Sequence, residues 1–333
     1  MLYTQYGRKW QVLIVAVNGA SYEIKQDSFW PEGLKIQFEV NYPGYEGWYF
    51  SDIIIWNLSE TTANNIMQEP IEGAKLYLSA GYQDGKFGQI FGGSIFQCLL
   101  DRESVVDYKL TIRAIDGDRL FDNNLANFTL RSEYTQMSLM NAATINAQKK
   151  MTLGFVSPSI QSNNEQSPRP YTGFAPACVI TREWSRYNSA QMFYKDDKLN
   201  FVTANDSPDP APTATTKVIV KSPTTGLIGT PQHIDYGVNF RCLLDPQIQL
   251  TAPPSWIRLD MSAIKMQKIA PGQRSSVLDQ RGQFKIGGVR HSGDTRGNDW
   301  YTDVVGYSIS GKGPLKLTPS DILPVPIRTV SGG

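Results

Sequence analysis

The chain has 333 residues, more than one ordinary hydrophobic core organises, so two or three domains are expected. Its 32 Lys plus Arg against 31 Asp plus Glu leave a formal charge of +1, which gives no reason to expect duplex nucleic acid or an anionic membrane as the main partner. No apolar run approaches the roughly 20 residues that span a bilayer, and Val12 to Val17 is too short for the core of a cleaved signal, so synthesis in the cytosol without secretion by that route is expected.

Period-two alternation dominates the first third. Leu34, Ile36, Phe38 and Val40 share one face of a strand while Lys35, Gln37 and Glu39 share the other. A slip of one residue would put charge into the core, so the register is strongly specified. Similar runs cover Gln11–Val17, Ser51–Leu58, Ala74–Tyr82, Gln89–Leu100 and Val106–Ile115. Turn clusters separate them: Asn18-Gly19, Pro31-Glu-Gly33, Tyr42-Pro-Gly44, Gln83-Asp-Gly85 and Asp116-Gly117. This pattern predicts an antiparallel barrel or sandwich over residues 8–118, with one helix at Thr61–Gln68.

The middle third changes character. Tyr134–Met151 is predicted as a helix, with Met137, Met140, Ala143, Ala147 and Met151 near one face. Ser157–Pro176, rich in Ser, Pro, Asn and Gln, reads as a loop or flexible linker. Phe193–Val202 reads as a hairpin around a charged turn, and Ser207–Pro212 is a proline-rich break. Strands return at Thr216–Lys221, Gly237–Leu244, Trp256–Asp260, Gln283–His291 and Thr302–Ser310. The expected fold class is therefore mainly β with a small α+β insert. Its expected parts are a β-module at 1–118, a mixed region at 119–206, a second β-module at 207–312 and an extended tail at 313–333. No short-period repeat is visible, although two β-modules of similar size can share a shape without sequence similarity.

Residues that could carry chemistry do not assemble into a recognisable site. His291, Ser292 and Asp294 invite a catalytic-triad reading, but near neighbours on one strand point to opposite faces. A hairpin is expected there instead, with Gly293 and Gly297 at positive φ and Asp294 and Asn298 bonding local backbone. His233, the other histidine, has no zinc-spaced partner. Asp116, Asp118 and Asp122 lack the spacing of a calcium loop and read as a solvated turn. Gly85 to Gly93 has the composition of a phosphate loop but leads into a strand rather than a helix. Glu183 beside Trp184 is the most visible carboxylate, since burial against an aromatic raises a pKa, yet it lacks a nameable partner acid. Cys98, Cys178 and Cys242, odd in number and far apart, are expected to be small buried hydrophobes. No catalytic residue, metal or cofactor is expected, and the aromatics are assigned to core and interface packing.

The last third carries a resemblance. Ser222-Pro-Thr-Thr-Gly226-Leu-Ile-Gly229-Thr-Pro231, then Gly237-Val238 through Leu243-Leu-Asp-Pro246, resembles the strand-turn-strand passage of the baseplate hub proteins of contractile-tailed bacteriophages. Phe284-Lys-Ile with Val289-Arg-His291-Ser-Gly293-Asp294-Thr-Arg-Gly297-Asn-Asp299-Trp300 resembles their closing hairpin. The N-terminal module is similar in layout only, and Thr251-Ala-Pro253-Pro254 departs from the family's glycine turn. The resemblance implies a structural protein with two tail-tube-like antiparallel β-barrels per chain, assembled as a homotrimer. Six barrels would then form a pseudo-sixfold ring between a hexameric tail tube and a trimeric central spike, with DNA passing through the lumen only in transit. It also implies residence in the virion's tail baseplate after assembly in the host cytoplasm. The tape measure and neighbouring baseplate proteins would be further contacts, with no membrane involved. Two other classes remain to be separated from this one: a peptidoglycan-degrading tail enzyme and a host glycan-binding β-module.

Overall fold

A computed structural model of the chain describes residues 7–26, 33–44, 49–68, 73–117, 124–195, 198–203, 218–234, 237–250, 256–260 and 282–308. The predicted alternation is present where the sequence placed it. In β1 (Arg8–Val15) Trp10, Val12 and Ile14 point into the core, followed by β2 (Ser21–Lys25). In β3 (Ile36–Tyr42) Ile36, Phe38, Val40 and Tyr42 are buried while Gln37, Glu39 and Asn41 face outward. Then come β4 (Tyr49–Trp56), helix α1 (Glu60–Gln68) and β5 (Lys75–Tyr82). The long β6 (Phe87–Arg102) and β7 (Tyr108–Asp116) complete the first module. Asp116 ends a buried strand edge at 2 % exposure, which corrects its reading as part of a solvated turn; Asp118 and Asp122 lie outside the described residues.

The insert holds β8 (Leu125–Leu130), α2 (Gln136–Ile145), β9 (Thr152–Val156), the short α3 (Pro158–Gln161), β10 (Tyr171–Pro176), α4 (Ala177–Tyr187) and the hairpin β11 (Ala190–Lys195) with β12 (Lys198–Thr203). Helix α2 is shorter than its sequence pattern. Thr135 caps it by accepting from the Ser138 N–H at 3.2 Å. At the far end the Thr144 hydroxyl donates back to the Met140 and Asn141 carbonyls, and the chain leaves the helix at Asn146. Ala147 and Met151 are still buried, but from outside the helix. The expected linker Ser157–Pro176 is also corrected, because it contains α3 and the strand β10, which pairs antiparallel with β8. Helix α4, unforeseen, buries Ala177, Ile180, Thr181, Trp184 and Ser185 along one stripe. The insert has its own core, in which Trp184 meets Phe201 edge-on at 4.6 Å.

The second module comprises β13 (Val218–Lys221), β14 (Leu227–Ile234), β15 (Gly237–Leu243), β16 (Trp256–Leu259), β17 (Gln283–Asp294) and β18 (Trp300–Tyr307). The protein is thus mainly β with a mixed insert, as its composition pattern indicates. The two modules do not form separate closed rings among the described residues. They share one thirteen-stranded sheet in the order β14-β15-β18-β17-β3-β4-β7-β6-β5-β1-β2, with β16 and β13 attached to the start of β17. A single apolar core runs from Trp10 in β1 to Val304 in β18.

The order conceals a duplication. The first module reads β3-β4-β7-β6-β5-β1 and the second reads β14-β15-β18-β17-β16-β13, strand for strand. In each, the long strand pairs first with the preceding short strand and then with the following one: β6 with β5 and β7, β17 with β16 and β18. A bulge interrupts the second ladder in both, at Phe96 and at Gly287, and both ladders then run from the bulge to the hairpin end over equal lengths, Gln97 to Arg102 and Gly288 to Gly293. One strand breaks the equivalence, since β13 runs parallel to β16 whereas β1 runs antiparallel to β5.

Candidate functional site

The built feature of this molecule is the joint where one module meets the other. Strand β3 lies antiparallel along the C-terminal half of β17, pairing Tyr42 with Val289 through Gln37 with Asp294. Main-chain pairing continues past the strands, where the Ile36 N–H donates to Thr295 Oγ1 at 3.0 Å and the Thr295 N–H donates to the Ile36 carbonyl at 3.0 Å. Arg8 of β1 reaches across with its guanidinium, donating to the carbonyls of Asp294 and Gly297, the latter at 2.7 Å. It stacks 5.5 Å over Trp300. Trp300 is 2 % exposed, donates to the Gly81 carbonyl at 3.2 Å and meets Phe38 edge-on at 5.3 Å. Second-module residues therefore complete the first module's core, and separating the two would expose both.

The residues singled out in the closing hairpin gather at this joint. Asp294 Oδ1 accepts from the N–H groups of Arg296 at 2.8 Å and Gly297 at 2.9 Å, as a turn-forming Asp is expected to do. The Asp299 carbonyl accepts from the Asp294 N–H at 2.7 Å. Gly293 and Gly297 do not adopt the expected positive φ. Their glycine requirement is one of space: a Cβ at Gly293 would overlap the Phe38 ring, and one at Gly297 would crowd the Asp294 carboxylate. Elsewhere in the motif set, Gly226 (φ 94°) ends a 3₁₀ turn and Gly229 (φ 68°) opens a wide bulge in β14 that also contains buried Pro231. Gly237 starts β15 against Gly306, and Pro246 packs beside Gly88.

A buried polar cluster lies behind the joint. Asp245, fully buried, accepts from Lys221 Nζ at 2.8 Å and from Lys86 Nζ at 2.9 Å. Burial alone would push its carboxyl up, but the Lys221 charge and then the hydrogen bonds from Lys221 and Lys86 hold it below the usual carboxylate range. Lys86 sits on the β5–β6 turn, so this triad also ties the first module to the second. The Asp245 N–H donates to Thr302 Oγ1 at 3.1 Å, and His291 Nδ1 lies 2.9 Å from the same hydroxyl. Burial pushes the His291 imidazole down to about 4, so it is neutral at pH 7. Ser292 faces the opposite side of β17, paired with Glu39 and Tyr301, so His291, Ser292 and Asp294 make no triad.

Other candidates separate. Glu183 is exposed on α4 while Trp184 is buried and donates to the Gln136 carbonyl at 2.9 Å, which removes the burial argument for that carboxylate. Gly85 to Gly93 covers the β5–β6 turn and the start of β6, with no helix behind it. Cys98 and Cys242 are buried, and burial pushes their thiols up to about 11 and about 12; Cys178 is half-buried on α4. Among the described residues no group of His, Cys, Asp and Glu could hold a metal ion, and no helix is long and apolar enough to cross a membrane. The two-module duplication is what the hub resemblance implies, whereas the β3–β17 joint has no local signature in the sequence, because it pairs strands some 250 residues apart.

The model of the family described as baseplate hub gp41 matches residues 52–254. No curated protein matches the chain by sequence. Among solved structures, a tail protein from Neisseria meningitidis MC58 aligns at 8% identity and a TM-score of 0.53, over 91% of this chain and 97% of that one. The 43 kDa tail protein of prophage MuSo2 from Shewanella oneidensis aligns at 7% identity and a TM-score of 0.52, over 90% and 98%. The E. coli c3393 protein, a type VI secretion component described as structurally similar to T4 tail proteins gp27 and gp5, aligns at 10% identity and a TM-score of 0.50, over 83% and 74%. At such identities these likenesses speak to fold alone.

Proposed function

The chain belongs to the baseplate hub gp41 family, and from that premise we propose that it is a trimeric symmetry adaptor in a contractile tail. It joins a hexameric tail tube to a trimeric central spike around a channel for DNA. The carrying observation is the duplicated strand order: one chain presents two equivalent β-modules side by side, so three chains present six. A threefold object with sixfold pseudo-symmetry is what a junction between a hexamer and a trimer requires. The proposed division is a β-module at 1–118, an insert at 119–206, a second β-module at 207–312 and a tail at 313–333. The motif residues from Gly226 to Trp300 act as shape-determining positions. On this reading the protein works by binding and not by catalysis, is assembled in the host cytoplasm and resides in the virion.

Native mass spectrometry of the purified chain, mixed with the tail tube and spike proteins of the same phage, tests this. The expected species contains three copies of this chain with one spike trimer, and gains one tube hexamer when that protein is added. Persistent monomers in both mixtures would refute the adaptor role.

A further inference from the structure

The duplication has an unmatched half. In the second module the C-terminal half of β17 is covered by β3, and Val289, His291 and Gly293 are buried there. The equivalent half of β6, Gln97 to Arg102, pairs with β7 along one edge and with no strand along the other among the described residues. Large apolar side chains stand uncovered at this place. Phe96 is 56% exposed, Leu99 and Leu100 are each 37% exposed, and Val105 and Val106 at the hairpin tip exceed 70%. Leu100 occupies the rung that corresponds to His291, an inward-facing position that is fully buried in the second module. At the other end of the sheet, β14, the equivalent of β3, pairs only with β15 among the described strands.

We propose that β14 of one copy of this chain docks on the exposed half of β6 of the next copy, repeating between subunits the joint that β3 and β17 make within one. The inference rests on the hub reading and specifies which surfaces meet. Carrying the β3–β17 register over through the equivalent ladders sets Ile234 opposite Leu99, His233 opposite Leu100 and Gln232 opposite Asp101. The contact is heterologous, since each copy offers β6 on one side and β14 on the other, and under the trimeric hub reading it closes a ring of three copies with six joints. The Gln232–Ile234 end of β14 then pairs with Leu99 to Asp101 of β6, and Leu99 and Leu100 leave water. The bulge at Gly229–Pro231 confines regular pairing to the Gln232–Ile234 end of β14.

Paired cysteines test the register. The full chain carrying Leu99→Cys and Ile234→Cys, treated with a short bis-maleimide, is expected to give covalent dimers and trimers with nothing larger, while each single variant stays uncrosslinked. As a second arm, Leu99→Glu is expected to leave the melting temperature of the monomer unchanged, because Leu99 is exposed there, and to raise the trimer dissociation constant at least tenfold. Trimers that form by light scattering yet show no double-cysteine crosslink and tolerate Leu99→Glu would overturn the docking mode and leave the hub reading intact. A chain that remains monomeric even with its spike and tube proteins would overturn both.

Discussion

The tips of two hairpins show what the same architecture does with and without a neighbour. The β17–β18 turn is held by Arg8, by the exchange between Ile36 and Thr295 and by the Arg296 side chain donating to the Gly33 carbonyl at 2.8 Å. Its strand carries small or polar residues, Gly293 and His291, that fit under β3. The β6–β7 turn is tied only to its own module among the described residues, Asn57 Nδ2 donating to Asp107 Oδ1 at 2.9 Å and the Glu103 N–H donating to the Asp107 carbonyl at 2.9 Å. It carries Leu99, Leu100, Val105 and Val106 into water. A monomer has no use for that asymmetry. The covered half fits a neighbour supplied by its own chain, and under the proposed docking the apolar half fits one supplied by another copy.

The comparison can be broken hardest at the buried charges behind the covered joint. Replacing Asp245 with Ala leaves Lys221, itself 2% exposed, without its carboxylate, and is expected to cost about 3–5 kcal/mol in chemical denaturation. An effect below about 1 kcal/mol, the range of exposed pairs, would show that the cluster is not sealed in solution.

Acid should act next. The His291 pKa is depressed to about 4 in the folded chain against about 6.5 when unfolded. Its contribution is full above pH 6.5 and is lost as pH falls from 6.5 to 4, by up to about 3 kcal/mol. Asp245, held below its ordinary value, adds a further loss only below the usual carboxylate range. Denaturation midpoints measured from pH 7 to pH 4 should fall, and the fall should flatten in a His291→Gln variant. Parallel curves for the two proteins would remove His291 from the account.

Gly293→Ala is expected to cost about 1–3 kcal/mol, because its Cβ has nowhere to go but into Phe38 and Trp300. Thermal melts compared with the wild type read this directly. The smallest effect belongs to the uncovered half: Val105→Ser should move monomer stability by no more than about 0.5 kcal/mol, as for other surface substitutions. A loss as large as that of Gly293→Ala would mean that the β6–β7 tip is already covered within one chain.

Much of this was legible in the residues. Alternation fixed the face of β3, since Ile36, Phe38 and Val40 cannot be exposed together without burying Lys35, Gln37 and Glu39. The closing motif from Phe284 to Trp300 resembles the hub family in its residues alone, and Asp294 does bond its local turn. Gly293 is required for space and not for positive φ, and a close approach by Phe38 from a strand some 250 residues away has no local signal. Helix α4 does have one, the stripe Ala177, Ile180, Thr181, Trp184 and Ser185, within a stretch that the Pro- and Ser-rich residues before it make look like loop. Strand order and the uncovered half of β6 could not be read at all, since both depend on which distant strands pair.

Electron-microscopy class averages of the purified chain, alone and with its spike protein, test the central claim most directly. The account predicts threefold rings with six peripheral lobes around a central channel. Isolated two-lobed particles in both samples would contradict it.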